Sequence, residues 1–179
     1  MKKKYLLPGI ITLVVLVFLE EGSGVLEEGS RAPQFTATLS SGQVISLHDF
    51  VGKKHVVLFF YPKDFTAGCT AQVCDLRDHY QELLEQDAVV FGVSRDGQES
   101  HEKFIEAHGL PFPLISDSGS SLIKAYGVER LWGLIGLPKR VTYVIDKEGV
   151  IRLVAHHEFA IKSHREDVLA TLKRLNASG

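Results

Sequence analysis

Apolar residues along this chain fall either into short unbroken runs or into patterns of every third or fourth position, and the two kinds alternate. "KHVVLFFYP", residues 54–62, is a nearly continuous run rich in valine and phenylalanine that stops at Pro62, and "DAVVFGVS", residues 87–94, is a second. Runs of this sort predict strands buried on both faces. Between them, residues 69–86 carry leucines at 76, 83 and 84 with charges in the gaps, which predicts a helix. Another helix is predicted over 98–108, on Phe104, Ile105 and Ala107, followed by a short strand at "FPLIS" and a short helix at "GSSLIKAYG" closed by Gly127. After an irregular stretch from Val128 to Lys139, "RVTYVID" and "VIRLVAHH" flank the turn "KEG" as a hairpin, and His164 to Leu175 predicts a last helix. Upstream, "QFTATL" and "QVISL" around "SSG" predict two short strands joined by a tight turn.

Strand, helix, strand, helix, then hairpin and helix describe an α/β sandwich with a mixed sheet covered on both faces. No internal repeat and no second domain is visible. The expected organisation is an N-terminal segment over 1–21, a polar, glycine-rich linker over 22–32 and one folded domain over 33–179.

Composition changes this picture in two places. A hydrophobic share of 45% against a charged share of 23% is that of a globular protein, and 179 residues can bury a core without metals or disulfides. Lys and Arg total 20 against 22 acidic residues, a net charge of −2 with no basic cluster on the folded part, which sets nucleic acid aside as a partner. The N-terminus departs from this balance. Lys2, Lys3 and Lys4 precede the uncharged run from Tyr5 to Leu19, and Glu20 and Glu21 follow it, a pattern that predicts an export or anchoring segment. Its 15 residues would span about 22 Å as a helix, less than a hydrocarbon core of about 30 Å. The expectation is membrane association through residues 5–19 or export, with the domain on the extracytoplasmic side, in a periplasm or lumen.

Both cysteines, Cys69 and Cys74, lie in the predicted helix of 69–86. Cys69 falls in its first turn, where unpaired backbone N–H groups and the helix dipole favour a thiolate. Lowering a thiol from about 8.5 to about 6 requires about 3.4 kcal/mol, and a helix end supplies about 0.3–1 kcal/mol, so a second positive group is required. On an ideal helix the two Cα atoms would be about 8.6 Å apart, beyond the roughly 7 Å that a disulfide spans, so bonding would require the first turns to unwind. Other readings of the pair are two inert core thiols, a zinc site, for which the spacing is poor and His156 and His157 are distant, or a redox centre, which in its thioredoxin form would read C-x-x-C.

The stretch "YPKDFTAGCTAQVCDLRD" resembles the peroxidatic motif of the peroxiredoxins, P-x-x-x-T-x-x-C, with Pro62, Thr66 and Cys69 in place. A second cysteine five residues on is similar to the bacterioferritin-comigratory or Q-type branch, "KRVTYVID" resembles that family's strand with Arg140 at the second catalytic position, and "KAYGV" at 124–128 also matches. The resemblance runs from about Gly29 to the C-terminus and implies a thioredoxin fold, here with an N-terminal β-hairpin extension, and a thiol-dependent peroxidase without metal or organic cofactor. It implies a peroxidatic Cys69 and a resolving Cys74 that form an intramolecular disulfide, reset by a thioredoxin-like reductant. Arg140 would hold the thiolate and bind peroxide, the Thr66 hydroxyl would bond the peroxide, Pro62 would shield the sulfur, and backbone N–H groups at Gly68 and Cys69 would stabilise the leaving oxygen. The substrates implied are hydrogen peroxide and organic hydroperoxides, and the family habit is a monomer. Ala67 and Gln72 depart from the family's usual proline and glutamate, and the segment around Trp132 diverges. Without the resemblance, Pro62 reads as a strand terminator, Thr66 as a helix cap, Arg140 as a surface or salt-bridged residue, and Arg77 with Asp78 as a helical charge pair. The rival function is an extracytoplasmic thiol-disulfide oxidoreductase or copper-delivery protein of the same fold, which would call for C-x-x-C, or for C-x-x-x-C with a histidine.

Overall fold

The computed structural model describes residues 24–130, 137–157 and 160–177. The N-terminal segment over 1–21 and Trp132 lie outside the described residues. Among the described residues, seven strands and five helices follow in the order β1 (Thr36–Thr38), β2 (Val44–Ser46), β3 (His55–Phe60), α1 (Ala67–Asp78), α2 (Tyr80–Glu85), β4 (Ala88–Ser94), α3 (Gln98–His108), β5 (Leu114–Ser116), α4 (Ser121–Ala125), β6 (Val141–Ile145), β7 (Ile151–Ala155) and α5 (Ile161–Ala177), with a short 3₁₀ turn at Leu47–Asp49.

The continuous apolar run at 55–60 becomes the middle strand of a five-stranded mixed sheet of order β5-β4-β3-β6-β7. β3 runs parallel to β4 and antiparallel to β6, and all six of its residues are buried. Its alternation sorts the core. Val56, Leu58 and Phe60 face the layer built from the β1–β2 hairpin, Leu47, α4 and Tyr126. Val57, Phe59 and Tyr61 face α1, α2, α3 and α5, through Val73, Leu76, Leu83, Phe104, Val168 and Leu172 among others. Two-sided burial is what an unbroken apolar strand requires.

The predicted helix of 69–86 starts two residues earlier, at Ala67, and is interrupted at His79. The ring Nδ1 of His79 donates to the Asp75 carbonyl at 2.9 Å, the acceptor that a continuing helix would give to the His79 backbone N–H. That N–H bonds the Arg77 carbonyl instead, at φ −116° and ψ 16°. Side-chain competition for a backbone acceptor thus ends α1 and lets α2 start in a new direction. α5 begins at Ile161, earlier than the predicted His164.

The polar, glycine-rich stretch before the domain is tied to it. Gly29 N–H donates to the Ile151 carbonyl and Ala32 N–H to the Gly149 carbonyl, while Leu26 N–H reaches the Tyr143 hydroxyl at 3.2 Å. Val25 and Leu26 pack on the core. Among the described residues no helix is long and apolar enough to cross a membrane.

Gly92 in β4 shows how tightly side chains crowd across neighbouring strands: a Cβ there would lie 2.6 Å from side-chain atoms of both Phe59 on β3 and Leu114 on β5, its partners in register. Gly92→Ala therefore overpacks the core and is expected to cost about 1–3 kcal/mol. Urea unfolding of the variant should show a lowered midpoint with an unchanged slope; an unchanged midpoint would contradict this packing.

Candidate active site

The site forms where β3 ends. Strand pairing sets Val141 opposite Phe60, so the residue just before β6, Arg140, lies beside the turn that leaves β3, although 71 positions separate it from Cys69. That turn, residues 61–66, leads directly into α1. Phe65 takes φ +58° in it, a left-handed conformation that costs a bulky residue about 1–3 kcal/mol, and remains 54% exposed with its ring against Phe104.

Cys69, in the first turn of α1, is fully buried, and Arg140 is 5% exposed. Arg140 Nη2 lies 3.5 Å from Cys69 Sγ, and Nη1 donates to Gln72 Oε1. Gln72, 1% exposed, is three residues beyond Cys69 and so on the same face of α1. The guanidinium therefore reaches both the sulfur and an uncharged amide. Gly68 makes room for it, since a Cβ there would come within 3.1 Å of Arg140 Nη2. The first bond closing α1 runs from Thr70 N–H to the Thr66 carbonyl at 2.8 Å, so the N–H groups of Ala67, Gly68 and Cys69 precede the helical ladder.

Thr66 occupies the N-cap position, but its hydroxyl makes no capping bond; Oγ1 donates to the Lys63 carbonyl at 3.0 Å. Pro62 is half-buried and lines a cavity of about 330 Å³ with Lys63, Arg95, Asp96, Ser118 and Leu137. Cys74 is half-buried on α1, and both cysteines are free thiols. Beyond Cys74 the helix is secured: Asp75 pairs with Arg165 of α5 at 3.0 Å, and Arg77 donates to the His108 carbonyl at 2.6 Å as well as pairing with Asp78. Among the described residues no group of His, Cys, Asp and Glu is arranged to hold a metal ion.

The site residues predicted from the sequence, Pro62, Thr66, Gly68, Cys69, Cys74 and Arg140, thus lie on the β3–α1 connection, on α1 or just before β6. Two features had no signal in the spacing. Asp64 is buried in the turn, in contact with α3. His164 of α5 lies under β6, accepting from Thr142 Oγ1 at Nδ1 (3.0 Å) and donating from Nε2 to the His157 carbonyl (2.8 Å). Burial, with the nearby charges of His157 and Arg140, lowers the pKa of His164 despite that last bond.

The profile of the AhpC/TSA family matches residues 29–154. The chain is 43% identical over 149 residues to the chloroplastic peroxiredoxin Q of Sedum lineare, covering 83% of this chain and 78% of that one. It is 41% identical over 156 residues to peroxiredoxin Bcp of Bacillus subtilis, covering 84% and 98%. Among solved structures, peroxidoxin BcpB of Mycobacterium tuberculosis superposes with a TM-score of 0.78 at 33% identity, covering 83% of this chain and 97% of that one. These likenesses do not favour the oxidoreductase or copper-delivery alternative. They also overturn the expectation of a membrane-anchored or exported domain in a periplasm or lumen: the Sedum relative is chloroplastic. The physical weakness of that expectation is length, because 15 apolar residues fall short of a bilayer core of about 30 Å.

The lowered pKa of His164 has a sign. The unfolded chain, at an ordinary value of about 6.5, takes up the proton more readily than the folded one, so stability is full above that pH and falls as pH drops through it toward the folded value. Urea midpoints at pH 7.5 and pH 5.5 should differ more in the wild type than in His164→Gln; equal differences would contradict the burial of a neutral imidazole.

Proposed function

The chain belongs to the AhpC/TSA family and is a thiol-dependent peroxidase of the peroxiredoxin Q and Bcp kind, acting on peroxide and served by a thioredoxin-like reductant, and from that premise we propose how its residues divide the reaction. Cys69 is the peroxidatic sulfur. Its thiolate attacks one oxygen of the substrate, forming an S–O bond as the O–O bond breaks; the sulfur becomes a sulfenic acid and the departing oxygen takes a proton to leave as water or an alcohol. The observation that carries this reading is the buried Arg140 guanidinium 3.5 Å from a fully buried sulfur, which supplies the positive charge that a helix end alone does not.

The remaining roles follow from the same geometry. The Thr66 hydroxyl spends its hydrogen on the Lys63 carbonyl, which leaves its lone pairs to accept the O–H of a bound peroxide. Pro62 offers no N–H and shields the sulfur from water. The N–H groups of Gly68 and Cys69, with Arg140, stabilise negative charge growing on the leaving oxygen. The absence of a side chain at Gly68 keeps the guanidinium close.

Cys74 resolves the sulfenic acid: its thiol displaces hydroxide from the Cys69 sulfur, forming the disulfide and releasing water. Five residues of intact helix hold the two sulfurs too far apart, so residues 67–74 unwind while Asp75 and Arg77 stay pinned to α5 and α3. An external dithiol then reduces the pair by exchange. Both thiols come from one helix, so a monomer completes the cycle, and the working unit is the folded domain of 33–179. Hydrogen peroxide and organic hydroperoxides both suit a site that contacts only the O–O group.

Stopped-flow mixing of the purified chain with hydrogen peroxide, with and without thioredoxin, tests these roles. Cys69→Ser should abolish peroxide consumption, Cys74→Ser should consume about one equivalent per chain and then stop, and Arg140→Ala should slow the reaction by about 10²- to 10³-fold. Steady thioredoxin-driven turnover by either cysteine variant, or an undiminished rate without Arg140, would contradict the assignment.

A further inference from the structure

Beneath the turn that carries Pro62 and Thr66 lies a polar cluster that the chemistry above does not use. Asp64 is 3% exposed. Its Oδ1 accepts from the Tyr61 hydroxyl at 2.7 Å, and its Oδ2 accepts from Ser100 Oγ at 2.7 Å and from His101 Nδ1 at 2.9 Å. His101 is wholly buried, and its other ring nitrogen faces the Ile115 carbonyl at 3.2 Å. A carboxylate and a carbonyl only accept, so both ring nitrogens face acceptors, the arrangement that an imidazole carrying a hydrogen on each nitrogen and paired with Asp64 would satisfy. The backbone at the same position is fixed too: Asp64 N–H donates to Asp96 Oδ2 at 2.9 Å, an oxygen that also receives Ser94 Oγ at 2.7 Å.

Burial opposes the charge on Asp64, yet the bonds from His101, Tyr61 and Ser100 outweigh it and its carboxyl sits below the usual value. A buried ion pair is a poor device for stability alone, because desolvation cancels much of the attraction. What it does supply is a fixed geometry, and its place is informative. Asp64 lies midway between Pro62 and Thr66, and the next residue, Phe65, is held at φ +58°, a conformation that persists only when the chain on both sides imposes it. Downstream, α1 supplies one anchor; upstream, the Asp64 cluster is the other.

We propose that the buried Asp64–His101 ion pair, with Tyr61 and Ser100, is the positioning device for peroxide: it holds the 62–66 turn so that Pro62 and Thr66 meet the O–O group over Cys69. The proposal rests on the peroxidatic reading of Cys69. It divides the site into two arms of different origin. β6 and α1, through Arg140, set the charge on the sulfur, whereas β3 and α3, through Asp64 and His101, set where the oxidant lies. Damage to the second arm leaves a thiolate that still reacts with reagents needing no peroxide site.

The test compares second-order rate constants of Cys69 with hydrogen peroxide and with iodoacetamide, in the full chain and in Asp64→Asn, His101→Gln and Ser100→Ala. The expected result is a loss of about 10- to 100-fold toward peroxide in the first two, a smaller loss in Ser100→Ala, and alkylation rates within about twofold of wild type in all three. An unchanged peroxide rate in Asp64→Asn overturns the proposal, and so does a parallel loss of both rates. If the charge-removing variants do not fold, imidazole ¹⁵N shifts of the wild-type protein at pH 7 decide: protonation of both His101 nitrogens supports the ion pair, and a single neutral tautomer overturns it. A wild-type Cys69 that alkylates but ignores hydrogen peroxide defeats the peroxidatic assignment itself, which is a different outcome from any of these.

Discussion

A sulfur removed from water ionises only if a positive charge goes in with it, and the pairing of Cys69 with Arg140 is the constraint around which this structure is organised. The first turn of α1 supplies dipole and N–H groups worth about 0.3–1 kcal/mol, short of the roughly 3.4 kcal/mol that a thiolate poised near neutrality requires. The remainder must come from another part of the chain. Antiparallel pairing of β3 with β6 brings a candidate, the Arg140 guanidinium, to the sulfur, because the end of one strand and the start of the other necessarily meet. Position in the sheet therefore does what proximity in sequence cannot. The neutral Gln72 amide accepts from the same guanidinium and brings no negative charge of its own.

The proposed cycle requires the same helix to be rigid in one state and open in another. Intact, α1 buries Cys69 and Val73 against the sheet and keeps Cys74 away. To bond the two sulfurs, its first two turns must surrender that burial, and the ties from Asp75 to Arg165 and from Arg77 to the His108 carbonyl mark where unwinding stops. On the proposed cycle the site is a two-state element, which suits a catalyst that must alternate between protecting a sulfur and presenting it to a partner.

Much of this was legible in the sequence. The unbroken run at 55–60 announced a strand covered on both faces, and a cysteine just after a strand and a turn announced its own helix end. Arg140 was not legible from pattern: an arginine before a strand reads as a surface residue, and only the likeness to a known family gave it a role. The break at His79 was hidden because the leucines at 76, 83 and 84 suit one continuous helix, while the interruption depends on where a single imidazole places its proton. The Asp64–His101 pair was hidden for a related reason, since charged residues in a turn and on a helix read as solvated faces until tertiary packing brings them together. The glycine-rich stretch before Pro33 reads as a linker by composition, but its backbone N–H groups find carbonyls around the β6–β7 turn, a contact that composition does not encode.

The most direct test of the central pairing is the thiolate absorbance near 240 nm, measured against pH in a Cys74→Ser background so that one sulfur reports. Arginine-held ionisation predicts a thiolate band already developed at neutral pH that disappears when Arg140→Met is added. A band that emerges only in the alkaline range of an ordinary thiol, or one indifferent to the loss of the guanidinium, would contradict it.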